Sequence, residues 1–247
     1  MKFREFGTKG NKPIMLLHGG GLSWWSLKPH IQALKNDYFI IAPTIDGHGD
    51  DSQTTFTSIE ECADKIVNYI NDKLDGKLYC ICGLSIGAQI AAEVLSRKVN
   101  IAHKAVIESG LFCPMQYVAS MAKPMYGMSY GLIKQKWFSK YQAKALYVPE
   151  EMFEQYYEDS CKMSKESLIN MTISNSTYSI PKNIKNSEAE TLIIVGGKEL
   201  SAMKKSAQLL HDTINNSTLT IIDKNSHGEL SLKTPDKYIK MLLDFLN

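Results

Sequence analysis

The sequence predicts an α/β fold, a mostly parallel central sheet with helices on both faces, and two patterns carry that prediction. Six short apolar runs, Ile14–Leu17, Phe39–Ala42, Leu78–Ile81, Ala105–Ile107, Leu192–Val195 and Leu219–Ile222, are β-branched or aromatic-rich and near-continuous rather than alternating. A strand buried on both faces reads this way, because neither side of it meets water. Between the runs lie helical patterns at Trp25–Leu34, Ser58–Leu74, Ile86–Ser96, Ala202–His211 and Pro235–Leu246. The last of these is expected to start at Thr234 as N-cap, with Pro235 at the first helical position, where its missing N–H is no loss.

Composition bounds the function classes. A chain of 247 residues can bury a large core without covalent staples. With 44% apolar and 22% charged residues it has the ordinary globular mix, which excludes disorder as its main state. Lys and Arg number 28 against 26 acidic residues, and a net charge of +2 offers no overall electrostatic argument for nucleic acid or an anionic membrane. No apolar run approaches the ~20 residues that span a bilayer, and Met1–Gly7 lacks the apolar stretch of a signal peptide. The five cysteines are odd in number and show no CxxC spacing, against structural zinc or a disulfide framework. The expectation is a soluble, reduced, cytoplasmic protein without metal or organic cofactor, nucleic-acid partner or membrane insertion. No feature sets its oligomeric state.

Residues 111–180 break the strand–helix rhythm. They are helix-like throughout and hold 7 of the 11 methionines and 8 of the 12 tyrosines. The division expected is a core of residues 1–110 and 181–247 with a helical lid inserted between them. An insertion at the C-terminal ends of the strands would cover the crevice where open α/β sheets bind ligands. Met and Tyr would give it an adaptable apolar lining, reaching substrate through Met121, Met125 and Tyr126, while most of the others pack the lid onto the body.

The strongest chemical signal is Gly83-Leu84-Ser85-Ile86-Gly87. It follows the strand ending at Cys82 and opens a small-residue helix, Gly87–Ala92. A serine on a sharp strand-to-helix turn takes a strained backbone, and flanking glycines let strand and helix approach. Its hydroxyl then projects from the rim of the sheet, beside a helix N-terminus able to stabilise negative charge. The bland reading is a serine that merely caps the helix. Two further motifs add to the pattern: His18-Gly19-Gly20-Gly21 after the first run, and Asp46–Ser52 after the second. On these residues the chain resembles a small member of the α/β-hydrolase fold family across nearly everything outside residues 111–180. The resemblance implies an oxyanion loop at His18–Gly21 and a serine nucleophile at Ser85.

A serine hydroxyl needs a base. Of six histidines, His30 and His211 fall inside helices and His103 precedes a strand, at the wrong end of the sheet. His18, His48 and His227 survive, and the resemblance selects His227, in the loop after the final run. His18 is then expected to orient the oxyanion loop and His48 to serve a turn. Carboxylates at the same rim are Asp46, Asp50, Glu108, Glu199 and Asp223. The family order of serine, acid, histidine implies Glu199, in Val195-Gly196-Gly197-Lys198-Glu199, as the residue that orients the imidazole. Glutamate departs from the commoner aspartate, and the paired glycines would supply the retraction its extra methylene needs. Glu108 is the alternative acid.

The oxyanion donors implied are the Ile86 amide and that of Gly19 or Gly20. A flexible loop is the bland reading of three glycines, and a dinucleotide loop fails because G-x-G-x-x-G spacing is absent. Trp24 and Trp25 follow, one as a candidate acyl-pocket wall and the other packing on the body, with core packing the expected role of each. Glu150, Glu151 and Glu154 read as a solvated helix face rather than an amine site. The function implied is a serine hydrolase cleaving a small, largely apolar carboxylic ester or thioester through a Ser-His-Glu triad and an acyl-enzyme. Cleavage of a C–C bond, or a lyase reaction, on the same triad is the nearest alternative. A ligand-binding protein on the same scaffold is the non-enzyme alternative, and an intact Ser, His and acid set argues against it.

Overall fold

The computed structural model describes residues 1–247. Its strands are β1 (Lys2–Phe6), β2 (Pro13–Leu17), β3 (Phe39–Thr44), β4 (Leu78–Leu84), β5 (Ala102–Glu108), β6 (Glu190–Gly196) and β7 (Ser217–Ile222). They form one sheet in the order β1-β3-β2-β4-β5-β6-β7, parallel throughout except for β1. The six expected runs are the six parallel strands. β1 was not expected. It pairs antiparallel at the edge, Lys2 opposite Thr44 and Phe6 opposite Ile40. Its charged side chains meet water at the rim, so it lacks the continuous apolar character of a strand covered on both sides. Besides its ladder to β3, Phe3 stacks on Tyr69 and Phe6 on Trp24, while Arg4 pairs with Asp50 and Glu5 accepts from the Tyr69 hydroxyl.

Alternate residues of each parallel strand feed two cores. Met15, Leu17, Ile41, Ile81, Ala105, Ile107, Ile193 and Val195 pack beneath α2 (Ile59–Lys73), α3 (Ile86–Arg97) and α8 (Ser201–Thr213). Ile14, Leu16, Ile40, Cys80, Cys82, Val106 and Ile194 pack beneath α1 (Lys28–Leu34) and α10 (Pro235–Leu246) on the other face. Burial on both sides is the physical reason the runs of β2 to β6 are uninterrupted in sequence, whereas β7, at the sheet edge, has no fully buried residue. Ser58 caps α2, its Oγ accepting from the Glu61 N–H at 3.1 Å.

One helix start differs from expectation, and a second lacks a side-chain cap. Trp24–Leu27 form a 3-10 turn and α1 begins only at Lys28, because Pro29 fits the first turn of a helix and not its interior. Thr234 stands at the N-cap position of α10 with Pro235 first in the helix, as expected, but its side chain makes no capping bond. A short helix α9 (Glu229–Lys233) occupies the preceding turn, and the Thr234 hydroxyl donates back to the Leu230 carbonyl at 3.1 Å.

Between β5 and β6 the chain forms α4 (Gln116–Ile133), α5 (Lys136–Ala145), α6 (Phe153–Lys162) and α7 (Lys165–Thr177). The ends of this segment, Leu111, Phe112 and Tyr178, are buried in the main core. α7 is tied to the loop before α2: the Ser167 hydroxyl accepts from the Phe56 N–H, and the Ser174 hydroxyl from the Ile59 N–H, each at 3.1 Å. No helix is long and apolar enough to cross a membrane.

From β2 the chain passes to β3 on one side, and it later returns to β4 on the other. Loops leaving β2 and β4 therefore diverge at their C-terminal ends, the place where an open sheet leaves a crevice. Gly83 and Gly87 let β4 and α3 meet there. A Cβ on Gly83 would lie 2.2 Å from the Gly87 carbonyl oxygen, and one on Gly87 would lie 2.6 Å from the Leu17 and His18 carbonyls. Gly83→Ala is therefore expected to cost about 3 kcal/mol through overpacking against rigid backbone. Urea unfolding measures it, and an unchanged midpoint would contradict so close an approach.

Candidate active site

Ser85 stands between β4 and α3 with φ +56° and ψ −116°, a conformation seldom adopted by a residue with a Cβ. Its N–H donates to the Glu108 carbonyl on the neighbouring strand at 2.9 Å. Its hydroxyl makes no capping bond to α3. Instead Ser85 Oγ donates to His227 Nε2 at 3.0 Å, and His227 Nδ1 donates to Glu199 Oε2 at 2.7 Å. The structure thus brings together three side chains separated by up to 142 residues of chain. The imidazole is half exposed, at 46%, whereas the Glu199 side chain is 1% exposed.

Glu199 is held from behind. Its other oxygen, Oε1, accepts from the Gly196 N–H and from the Ser109 hydroxyl, each at 2.7 Å. Burial pushes this carboxyl up, but the bonds from His227, Gly196 and Ser109 outweigh it and hold the group below its ordinary range. The reach of the glutamate is set by Gly196 and Gly197. Cβ atoms there would lie 2.3 Å from the Asn225 carbonyl and 2.4 Å from the Asp223 carbonyl, so the loop after β6 presses against the loop carrying His227.

Comparison with known proteins agrees with this architecture. A family model described as the alpha/beta hydrolase family matches residues 14–197, most of the chain. The chain belongs to the alpha/beta hydrolase family. An AB hydrolase superfamily protein of Gibberella zeae is 24% identical over 133 residues, 52% of this chain, and the match spans under half, 46%, of that protein. Among solved structures, an alpha/beta hydrolase family protein from Desulfitobacterium hafniense superposes over 100% of both chains with a TM-score of 0.78 at 21% identity. An esterase from Exiguobacterium antarcticum covers 99% of this chain and 94% of its own, with a TM-score of 0.79 at 17% identity. Likeness at these identities establishes a shared fold.

In this alpha/beta hydrolase, Ser85 opens onto a cavity of about 260 Å³. Gly20, Gly21 and Ile86 border it beside the serine, and Tyr126, Met163, Leu168 and Met171 wall it from the inserted helices. No charged side chain lines it. The Gly19 carbonyl accepts from the Leu22 N–H at 3.2 Å, and the Gly20 and Gly21 amides inside this turn have no backbone acceptor.

Several expected substrate contacts lie elsewhere. Trp25 is buried against Leu22, Ala143 and Tyr156, its indole N–H donating to Asp159 Oδ2 at 2.8 Å. Trp24 lies under Arg4, whose guanidinium carbon is 4.5 Å from the ring centroid. Both tryptophans therefore hold the fold together. Met121 and Met125 point to solvent, because the opposite face of α4 is the one that packs on α7. Of the inserted residues named from sequence, Tyr126 alone reaches the cavity. Gly19 does not border it either, since the position of its missing Cβ faces Leu84.

The remaining histidines keep to structural positions. His18 is fully buried, its Nδ1 donating to the Gly19 carbonyl and its Nε2 accepting from the Ile45 N–H at 3.0 Å. Burial lowers its pKa to about 3, so it is neutral and that tautomer persists. His48 bonds the Asp46 carbonyl, and burial lowers its pKa too. Glu150, Glu151 and Glu154 are exposed. No cluster of three or more His, Cys, Asp or Glu residues could hold a metal ion.

Ser109 and most of the cavity wall escaped the sequence reading. Ser109 has φ +55°, and its N–H donates to the Ile194 carbonyl at 2.9 Å. Its place just after a strand, beside Glu108, is the one signal that could have found it.

Glu108 is not the residue paired with His227. It is buried, with one oxygen accepting from the Ser231 N–H at 3.3 Å and the other unpartnered. Burial, only partly offset by Ser231, pushes its pKa from 4.5 up to about 7. Between those values the folded chain binds more protons than the unfolded one, so stability is present below about 4.5 and falls as pH rises through about 7. Glu108→Gln mimics the protonated form. Its stability advantage over the wild type should grow from pH 5 to pH 8 by up to about 3 kcal/mol. Thermal unfolding at the two pH values measures it, and a constant difference would contradict the shift.

Proposed function

We propose that this alpha/beta hydrolase is a serine esterase acting on small, uncharged carboxylic esters or thioesters. The observation that carries the reading is the unbroken hydrogen-bond chain from the Ser85 hydroxyl through His227 to Glu199, beside an uncharged cavity. Ser85 Oγ attacks the substrate carbonyl carbon while His227 Nε2 takes its proton. Glu199 steadies the resulting imidazolium and keeps Nδ1 protonated. The carbonyl oxygen, now negative, lies against the amides of Ile86, at the start of α3, and Gly20. Each such donor is worth about 3 kcal/mol in other serine hydrolases. The tetrahedral adduct collapses as the leaving alcohol or thiol takes the proton from His227. Water, deprotonated by the same imidazole, then splits the acyl-enzyme and restores Ser85.

The cavity suggests the acyl group. At about 30 Å³ per water-sized group, roughly nine non-hydrogen atoms fill it. Its walls lack charge, so a carboxylate in the acyl chain would be buried without a partner. In this reading the inserted helices form the lid.

Two measurements test this. A fluorophosphonate probe should label the wild type and leave Ser85→Ala unlabelled, and equal labelling of both would end the assignment of the nucleophile. Across p-nitrophenyl esters, kcat/KM is expected to peak between acetyl and hexanoyl and to fall about tenfold or more, some 1.4 kcal/mol, by dodecanoyl. A flat series would remove the size argument while leaving the labelling result intact.

A further inference from the structure

Eleven large apolar side chains are exposed on this protein, and seven of them lie on α4 and α5. On α4, Tyr117, Met121, Met125, Met128 and Leu132 recur at i, i+4, i+8, i+11 and i+15, a stripe about 80° wide on the helix circumference. Met128 is 91% exposed. On α5, Trp137 and Tyr141 are exposed one turn apart. The stripe is not a misplaced core, because the opposite face of α4, with Tyr126 and Ile133, already packs on α7 and lines the cavity.

Charge on this stretch has one sign. From Ser109 to Pro149 there is no Asp or Glu, and Lys123, Lys134, Lys136, Lys140 and Lys144 are all exposed. Lys136 pairs with Glu154 of α6 at 2.7 Å, and it is the only one of the five in an ion pair. The acidic residues that balance them, Glu150, Glu151, Glu154 and Glu158, begin where this stretch ends. The net charge of +2 thus averages over a strong segregation.

We propose that α4 and α5 form a docking face for an anionic lipid surface. An apolar stripe with lysines on the adjoining helix, where Lys140 and Lys144 lie beside Trp137 on the circumference of α5, is the pattern of helices lying in the plane of a membrane interface. Trp and Tyr favour the headgroup level, and lysine stems run along apolar surface while their ammonium groups reach phosphate. A second copy of the chain fits less well. A two-fold dimer on this face would oppose lysine to lysine, with no carboxylate on α4 or α5 to answer them. Docking is independent of the chemistry at Ser85, so Ser85→Ala should bind as the wild type does.

Co-sedimentation of the full chain with lipid vesicles tests the proposal. Binding is expected to vesicles of phosphatidylcholine mixed with phosphatidylglycerol, and to be much weaker with phosphatidylcholine alone. Met128→Glu, Trp137→Glu and the double variant Lys140→Glu, Lys144→Glu should each lower the partition coefficient about tenfold or more. Their melting temperatures and turnover of a soluble ester should stay at wild-type levels, which reports that they fold. Lys204→Glu with Lys205→Glu, on exposed positions of α8, should leave binding unchanged. Absence of vesicle binding, or equal losses from the α8 pair, would overturn the proposal. So would a dimer, seen in sedimentation velocity, that Met128→Glu dissolves, since the stripe would then belong to a second copy.

Discussion

The position of the Ser85 hydroxyl depends on how closely β4 and α3 can pack. With backbone atoms filling the places where Gly83 and Gly87 would carry side chains, the chain turns from strand to helix within one residue. That turn forces Ser85 to a positive φ, at a cost on the order of 1–3 kcal/mol. Surrounding structure holds it there: the Ser85 N–H is bound to β5, and its carbonyl receives the Ala88 and Gln89 amides of the first turn of α3. The strain frees the hydroxyl from the capping role that serine at a helix start otherwise takes.

Around the histidine, two glutamates sit in different environments. Glu199 has three donors and stays ionised, whereas Glu108 has one long bond and burial that favours its neutral form near pH 7. Below about pH 7, one negative charge rather than two therefore predominates beside His227. Ser109 links these neighbourhoods, following Glu108 in the chain while its hydroxyl bonds Glu199, and its own positive φ is held by the bond to β6.

Much of this was legible in the residues. The inner parallel strands announced themselves because burial on both faces demands uninterrupted apolar runs, and strand–helix order then restricted Ser85, His227 and the acid to one rim. β1 was hidden because an edge strand tolerates Lys2, Arg4 and Glu5. The helix expected from Trp25 starts only at Lys28, after a 3-10 turn from which the Trp25 indole reaches Asp159. The cavity wall was unreadable for a different reason. α4 carries apolar residues on both its inward and outward faces, so periodicity alone could not separate Tyr126 from Met121 and Met125.

One contact at the mouth of the cavity links the two parts of the chain. The space beside Gly20 is closed by the Met171 sulfur of α7, 3.2 Å from where a Cβ would be. The cavity wall on α7 and the loop bordering Ser85 therefore share a surface of atomic thickness. Remodelling α7 for a bulkier guest shifts that loop as well, so under the function proposed above a change of diet is coupled to a change of speed.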